Sequence, residues 1–565
     1  MNTASIKPHL WEKSYPEDIN WAFNSTEKPI YDIIETAANA HPDRVCVDFL
    51  GREYSYAEMM NMVNQVAYGL QEQGIKKGDR VGICLPNCPY FIAAYFGILK
   101  AGATVVNFNP LYTEDELAYQ INDSGVKLMF TLDIHAIYDK IENCIATTSL
   151  SKIVVCSLPG ALSSVKSFLF KLFKSKELVS IEEDTHHIHF ACLISHGNNP
   201  EPVKIIPGTD IALLQYTGGT TGVPKGAILT HENVSSNATQ VKMWLGDDIN
   251  PEGETFLAVI PFFHVFAMTA VMNLGLITGS KIIMLPRFEL EKVLKLIHKE
   301  KPTVFPGVPT IFNAINNYQN VYNYNLSSIK YCISGGATLP QPVKEAFVKL
   351  TDACLVEGYG LSECSPVAMC NPPHTGGKEN SVGIPLPGTQ VEIRDLEKNS
   401  RVAPLGERGE IFVKGPQVMK GYWNKDDATK TTLINGWLKT GDVGYMDKDG
   451  YVFLTDRLKE IIITSGYNVY PKIIEEAFYK HKDVEEVIVI GIHDDEKGEE
   501  PKAFVKLKAG AKVTEEELLT FAAKHLNPIE KPASVEIRDE LPKTMIGKLS
   551  KKELVAEEKE KRKRS

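Results

Sequence analysis

The chain has 565 residues, of which 43% are hydrophobic and 23% charged, with a net charge of −10. That profile belongs to a globular protein of more than one domain, and its mild acidity excludes broad, sequence-independent binding to nucleic acid. Ten scattered cysteines without Cys-x-x-Cys or Cys/His ligand spacing point to free thiols in a reducing compartment, not to disulfides or zinc.

The first residues, Met1 to Lys7, carry no apolar run of the kind that directs export. From Lys28 onward strands and helices alternate. Val45 to Phe49, Val81 to Leu85, Thr104 to Phe108 and Lys127 to Thr131 read as strands. Tyr56 to Gln73, Pro89 to Lys100 and Glu114 to Asp123 read as helices. Short, continuous apolar strands separated by helices predict mainly parallel sheets covered on both faces. The stretch 165–176 differs. Val165, Phe168, Leu169, Leu172 and Phe173 share one helical face with lysines largely off it, a pattern suited to an anionic membrane interface or to docking on the core.

The run Ile211 to Gln215 reads as a buried strand leading into Tyr216-Thr217-Gly218-Gly219-Thr220-Thr221-Gly222-Val223-Pro224-Lys225-Gly226. Four glycines let the backbone N–H groups of this loop converge on an anion, the threonine hydroxyls add donors, and Lys225 adds a mobile charge. A Walker A loop is excluded, because Pro224 stands where its glycine must precede the lysine. Thr255 to Ser280 contains no Asp, Glu, Lys or Arg, but Pro261, His264, Asn273 and Gly275 interrupt it. A strand, a turn at Ile260-Pro261 and a buried helix from Met268 to Ile277 fit it better than a membrane span. His264 stands between the strand and that helix.

Further on come Ser334-Gly335-Gly336-Ala337 after a strand, then Glu357-Gly358-Tyr359-Gly360-Leu361-Ser362-Glu363, then Gly415 to Trp423. Asn435-Gly436-Trp437 runs on through Thr440-Gly441-Asp442 to Asp456-Arg457-Leu458-Lys459 and Ser465-Gly466-Tyr467. A carboxylate in a turn, Asp442, suits the two hydroxyls of a ribose, and Arg457 is a second candidate for ribose or phosphate. After Lys459, strands at Val484 to Ile492 and Lys502 to Leu507 and a helix at Glu515 to His525 make a small α+β unit. It ends in Leu541-Pro542-Lys543-Thr544-Met545-Ile546-Gly547-Lys548; Lys543, Lys551 and Lys552 read as solvated charges, and the charged tail from Glu557 to Ser565 as frayed.

These motifs, in this order from Tyr216 to Lys548, resemble the adenylate-forming superfamily, and over nearly the whole chain the bacterial long-chain fatty-acid–CoA ligases. The resemblance implies an α/β fold: a large N-terminal domain of mainly parallel sheets covered by helices (1–458), and a small mobile α+β C-terminal domain (459–565) carrying the catalytic lysine. It implies two half-reactions, fatty acid plus ATP giving acyl-adenylate, then transfer to CoA.

The same resemblance implies a role for each motif residue. Tyr216, Thr217, Gly218, Gly219, Thr220, Thr221, Gly222 and Lys225 form the phosphate loop. His264 lies beside the acyl carboxylate. Gly335, Gly336, Ala337, Glu357, Gly358 and Tyr359 surround the adenine, with Tyr359 stacked on it. Ser362 meets the α-phosphate, Thr217 and Glu363 bind Mg²⁺, Asp442 takes the ribose, Arg457 meets ribose or phosphate, and Lys548 drives adenylation. Lys459 is the hinge, and Gly466 lies where the pantetheine passes. ATP and CoA are the co-substrates and Mg²⁺ the cofactor. The expected location is cytoplasmic, with a peripheral position on the inner face of the cytoplasmic membrane as an extension. A homodimer is left open.

Three departures stand out. Ser362 replaces the commoner Thr, Ile463 stands where some relatives carry a lysine, and Ile529-Glu530-Lys531 replaces a Tyr-Lys pair before Pro532. The alternatives are a fatty-acyl-AMP ligase, a medium-chain or aryl-CoA ligase, and, in a different class, a nucleotide-binding or lipid-uptake scaffold without turnover.

Overall fold

Runs of branched apolar residues build the middle of a seven-stranded sheet. Its order is His187–His189, Lys152–Cys156, Leu128–Leu132, Arg80–Cys84, Thr104–Asn107, Ile211–Thr217 and Lys225–Thr230. All neighbours are parallel except the last pair, which is an antiparallel hairpin. Every residue of Thr104–Asn107 and Leu128–Leu132 is buried, as helices on both faces of a parallel sheet require. This computed structural model describes residues 9–25, 27–195, 197, 199–217, 223–246, 250, 252–373, 376–397, 401–544 and 547–564.

The helices start where side chains can satisfy their free N–H groups. Ser55 and Glu58 cap Tyr56–Glu72 reciprocally, Thr113 and Glu116 cap Glu114–Ser124, and Thr230 and Asn233 cap His231–Trp244. Two four-stranded sheets lie beside the first. Thr255–Ala258, Lys281–Met284, Val45–Phe49 and Arg52–Ser55 form one; Tyr331–Ser334, Cys354–Gly360, Val367–Cys370 and Ile384–Pro385 form the other. Val304 bridges Phe256 and Tyr331 and so joins the two. The mixed α/β class expected from the sequence is the fold observed. A third arrangement is added that the alternation did not announce: Gln390–Arg394, Gly409–Lys414, Leu433–Ile434, Trp437–Met446 and Val452–Arg457 make a wholly antiparallel sheet. Asn435 and Gly436, at φ +53° and +80°, make the two-residue turn of one of its hairpins.

The chain after Arg457 builds a fifth sheet, from Tyr467–Val469, Ile462–Thr464, Gly498–Leu507, Val484–Asp494 and Ser534–Ile537. It has its own core, in which Ile462, Ile474, Phe478, Val505 and Leu518 pack together. The tail corrects the expectation of fraying: Lys552–Arg564 is a helix. Leu554 is buried, Glu558 pairs with Lys502 at 2.9 Å and Glu557 with Arg538 at 2.7 Å, so the charges of the tail find partners on the sheet.

The uncharged stretch Thr255–Ser280 forms a strand, Thr255–Ala258, and then buried helical turns from Val265. The single helix expected over Met268 to Ile277 is instead a π-helix, Met268–Asn273, followed by α-helix Leu274–Ile277. Such i→i+5 widenings often stand at functional sites. Among the described residues no helix is long and apolar enough to cross a membrane. All ten cysteines carry free thiols.

Candidate active site

The strand Ile211–Thr217 and its partner Lys225–Thr230 flank the run expected to bind phosphate, with Thr217 opposite Lys225. Gly218, Gly219, Thr220, Thr221 and Gly222 lie outside the described residues. Lys225 sits with its ammonium 5.2 Å from the Tyr422 ring centroid. Tyr216 departs from the expected arrangement. Strand alternation sends its side chain to the opposite face from Thr217, where its hydroxyl donates to Asp123 Oδ2 at 2.6 Å, so its contacts brace the strand from behind.

Two neighbouring strands of one sheet carry the turns expected to meet the nucleotide. Gly335 follows Tyr331–Ser334 and approaches Phe266 so closely that a Cβ there would meet the ring at 3.0 Å. Gly336 has φ +84°, and a Cβ on it would lie 2.8 Å from Lys548 Nζ. The positive φ favours glycine at 336, and at 335 any side chain would press on the Phe266 ring. Ala337 completes the turn. Glu357 and Gly358 lie in the next strand, Cys354–Gly360; burial pushes the Glu357 carboxyl up to about 7, opposed by the nearby Lys472 ammonium.

Tyr359, expected to stack on adenine, is buried, and its hydroxyl donates to Asp442 Oδ2 at 2.6 Å. Asp442 faces Arg457 across the hairpin of Trp437–Met446 and Val452–Arg457, with Arg457 Nε 3.3 Å from Asp442 Oδ1. Burial raises the Asp442 carboxyl above its ordinary value, and Arg457 pulls the other way. Ser362 and Glu363 form a 3₁₀ turn after Tyr359. Tyr422 Oη donates to Glu363 Oε1 at 2.7 Å, while Met419 N–H donates to the Glu363 carbonyl at 2.8 Å. Tyr422 therefore touches both Glu363 and Lys225, a bridging position that nothing in the Gly415–Trp423 run announces.

His264 caps the turn Val265–Ala267, and its Nδ1 accepts the Phe266 N–H at 3.3 Å. Burial, and then the Lys548 ammonium, push its pKa down to about 3, so the ring is neutral and its Nε2 carries the proton. Lys548 arrives from the C-terminal unit on a tight loop. Thr544 N–H donates to the Lys548 carbonyl at 2.6 Å, and Thr310 Oγ1 from helix Pro309–Asn316 donates to the Gly547 carbonyl at 2.6 Å. Burial, and then Arg457, push the Lys548 ammonium down to about 8. Residues far apart in sequence thus meet at one place: Gly336, Lys548, His264, Asp442 and Arg457.

Lys459 and Gly466 stand apart from this group. Lys459 is exposed in a turn where Glu460 N–H donates to the Arg457 carbonyl at 2.9 Å. Ser465 and Gly466, at φ +51° and +82°, form the exposed turn between Ile462–Thr464 and Tyr467–Val469. Two of the three lysines expected to be solvated are instead paired. Lys543 meets buried Glu486 at 2.8 Å; Lys551 lies 2.9 Å from Glu460 and 3.5 Å from Glu475. Their partners sit on elements distant in sequence, so the local charge pattern could not reveal them. Lys552 is exposed, as expected.

Residues 34–423 match the AMP-binding enzyme family, and residues 473–548 match the AMP-binding enzyme C-terminal domain. The chain is 43% identical over 560 residues to the long-chain-fatty-acid–CoA ligase of Bacillus subtilis (strain 168), covering 98% of this chain and 99% of that one. It is 37% identical over 552 residues to the enzyme of the same name from Salmonella typhimurium, covering 96% and 97%. The crystal structure of ATP-bound MatB from Rhodopseudomonas palustris superposes with a TM-score of 0.78 at 28% identity, covering 93% of this chain and 98% of that one. The first of these matches spans more than half of the chain, and the curated relatives are matched over nearly their whole length: the chain belongs to the AMP-binding enzyme family.

Proposed function

We propose that this protein joins a long-chain fatty acid to coenzyme A at the expense of ATP. In the first half-reaction a carboxylate oxygen attacks the α-phosphorus of ATP, the bond to the β-phosphate breaks, and pyrophosphate leaves. In the second, the CoA thiolate attacks the acyl carbonyl and AMP leaves. The observation that carries the reading is the position of Lys548, its side chain laid on Gly336 and close to His264, Asp442 and Arg457.

The chemical difficulty of the first step is electrostatic. Two anions must meet, and negative charge builds on the phosphate oxygens. A lysine held in a partly dry site acts on that charge more strongly than it would in water. His264, being neutral, places no second cation beside Lys548 and offers its Nε2–H to the acyl carboxylate. Asp442 accepts the ribose hydroxyls once Tyr359 and Arg457 release it, and Arg457 then faces ribose or phosphate. Glu363 and Thr217 supply a carboxylate and a hydroxyl, hard oxygen donors that fit Mg²⁺, which when bound would offset phosphate charge. Thioester formation requires Lys548 to leave, and rotation of the C-terminal unit about Lys459 accomplishes that, bringing the turn at Gly466 toward the pantetheine path.

The membrane extension of this reading has support in the helix Ser164–Phe173, none of whose residues is buried. Phe168 is 66% and Phe173 77% exposed, with Lys171, Lys174 and Lys176 close by in the chain, so an apolar face and positive charges together suit an anionic lipid surface that presents the acid.

The deciding experiment separates the half-reactions. Lys548→Ala should lower adenylate formation from ATP and palmitate by ~10²–10⁴, the scale of removing one positioned electrostatic group. Thioester formation from preformed palmitoyl-adenylate should stay within a few-fold of wild type. Equal losses in both halves would remove Lys548 from the role given to it, and no pyrophosphate from the wild-type protein with any fatty acid would end the proposal.

A further inference from the structure

A small apolar cavity is lined in part by neighbours of the site residues, and the role given to it rests on the fatty-acid reading above. Its lining includes Ala270, in the helical segment that His264 opens, and Ile333 and Val356, close in the chain to Gly335 and Gly358. Trp244, Leu245 and Pro373 line it as well. Trp244 is the one aromatic residue among the described residues of the lining, and it closes helix His231–Trp244. Its Nε1–H donates to the Asn371 carbonyl at 3.2 Å.

Tyr15, which does not line the cavity, packs edge-on against Trp244, with ring centroids 5.1 Å apart. Tyr15 belongs to an N-terminal segment fastened across the large domain. Its hydroxyl donates to the Pro385 carbonyl, Ser14 Oγ to the Asp449 carbonyl at 2.7 Å, and Trp21 Nε1 to the Thr389 carbonyl at 3.2 Å. The cavity holds about 20 Å³, whereas a pocket for a small organic ligand runs to ~300–1,000 Å³. An acyl chain entering beside His264 therefore has to displace a wall. The other lining residues are Val, Leu, Ala, Ile, Cys and Pro, so moving Trp244 frees the most space.

We propose that Trp244, braced by Tyr15, is the movable end wall of the acyl site and sets the length of acid this protein accepts. The acyl tail presses on the indole, and how far the indole yields depends on the N-terminal segment packed against it. Shorter acids stop before Trp244; the longest reach it.

Two measurements test this. The first compares kcat/KM for C12 and C20 acids, by pyrophosphate release, in wild type and Trp244→Ala. The C20 to C12 ratio should rise by at least ~10-fold, since a single methylene in an apolar pocket is worth that much. An unchanged ratio overturns the proposal. The second needs no turnover and also serves if Trp244→Ala does not fold. Palmitate brominated at its terminal carbons should quench fluorescence in wild type more than palmitate brominated at C2, and Trp244→Phe should abolish that difference. A difference that survives in Trp244→Phe, or none in wild type, overturns it. If wild type released no pyrophosphate with any acid, the reaction assignment would fall while the quenching still decided whether an acyl tail reaches Trp244.

Discussion

Lys548 shows how burial turns an ordinary side chain into a pH-sensitive one. Its folded-state pKa, pushed down to about 8, lies below that of a free lysine, so the folded chain holds this proton less readily than the unfolded one. The charged form therefore costs stability in full below about pH 8, and the cost fades as pH rises from there, to vanish above the unfolded value near 10.5. Lys548→Met should accordingly melt at the same temperature as wild type or higher at pH 7, a sign opposite to that for a lysine placed for stability. The kinetic counterpart is an alkaline limb: kcat/KM for ATP should fall above about pH 8 as the ammonium is lost. Lys548→Arg, which keeps its charge, should lack that limb even at a reduced rate. A limb that persists in Lys548→Arg would mean that another group titrates. At the same scale the sequence could name Lys548, Asp442 and Glu363 but not what holds them, since Tyr359 on Asp442 and Tyr422 on Glu363 are contacts across separate strands.

Among the elements, the helix Ser164–Phe173 is legible in its periodicity but not in its burial. A Phe-rich stripe beside lysines is compatible with docking on the core or with a lipid surface; the fold leaves all ten of its residues unburied. Phe168→Ser with Phe173→Ser should reduce binding to vesicles containing phosphatidylglycerol by ~10-fold or more, as two large apolar groups leave the interface. Adenylation of a short, soluble acid should be unaffected, and unchanged vesicle binding would refute the contact. The π-helix Met268–Asn273 makes the complementary point. Its residues are all buried and uncharged, which the sequence conveyed, but its wider winding was invisible in a pattern that serves α- and π-helices alike.

Hydrogen bonds join the large domain to the C-terminal unit. Thr310 holds the Gly547 carbonyl, Asn313 Nδ2 donates to the Glu485 carbonyl at 3.1 Å, Lys472 Nζ donates to the Leu454 carbonyl at 2.6 Å, and Lys472 N–H donates to Asp456 Oδ2 at 2.9 Å. These bonds are individually modest, roughly 0.5–1.5 kcal/mol each, so a change of orientation is within reach of substrate binding. Lys459→Pro, which restricts φ and removes an N–H, should slow thioester formation by ~10-fold or more while adenylation changes less, because only the second step needs the rotation. Equal effects on both steps would place the pivot elsewhere.

By itself the sequence determined the α/β class, the glycine turns, the order of the nucleotide motifs and the lysine at 548. All of these are written in neighbouring residues, because turn geometry and side-chain periodicity are local properties of the backbone. Tertiary structure alone decided that Tyr216 faces Asp123, that Lys543 and Lys551 lie paired with carboxylates, that the charged tail is a docked helix, and that Tyr15 packs against Trp244. Burial, ion pairing and the end of a cavity depend on which elements lie opposite one another, and packing, not chain adjacency, settles that.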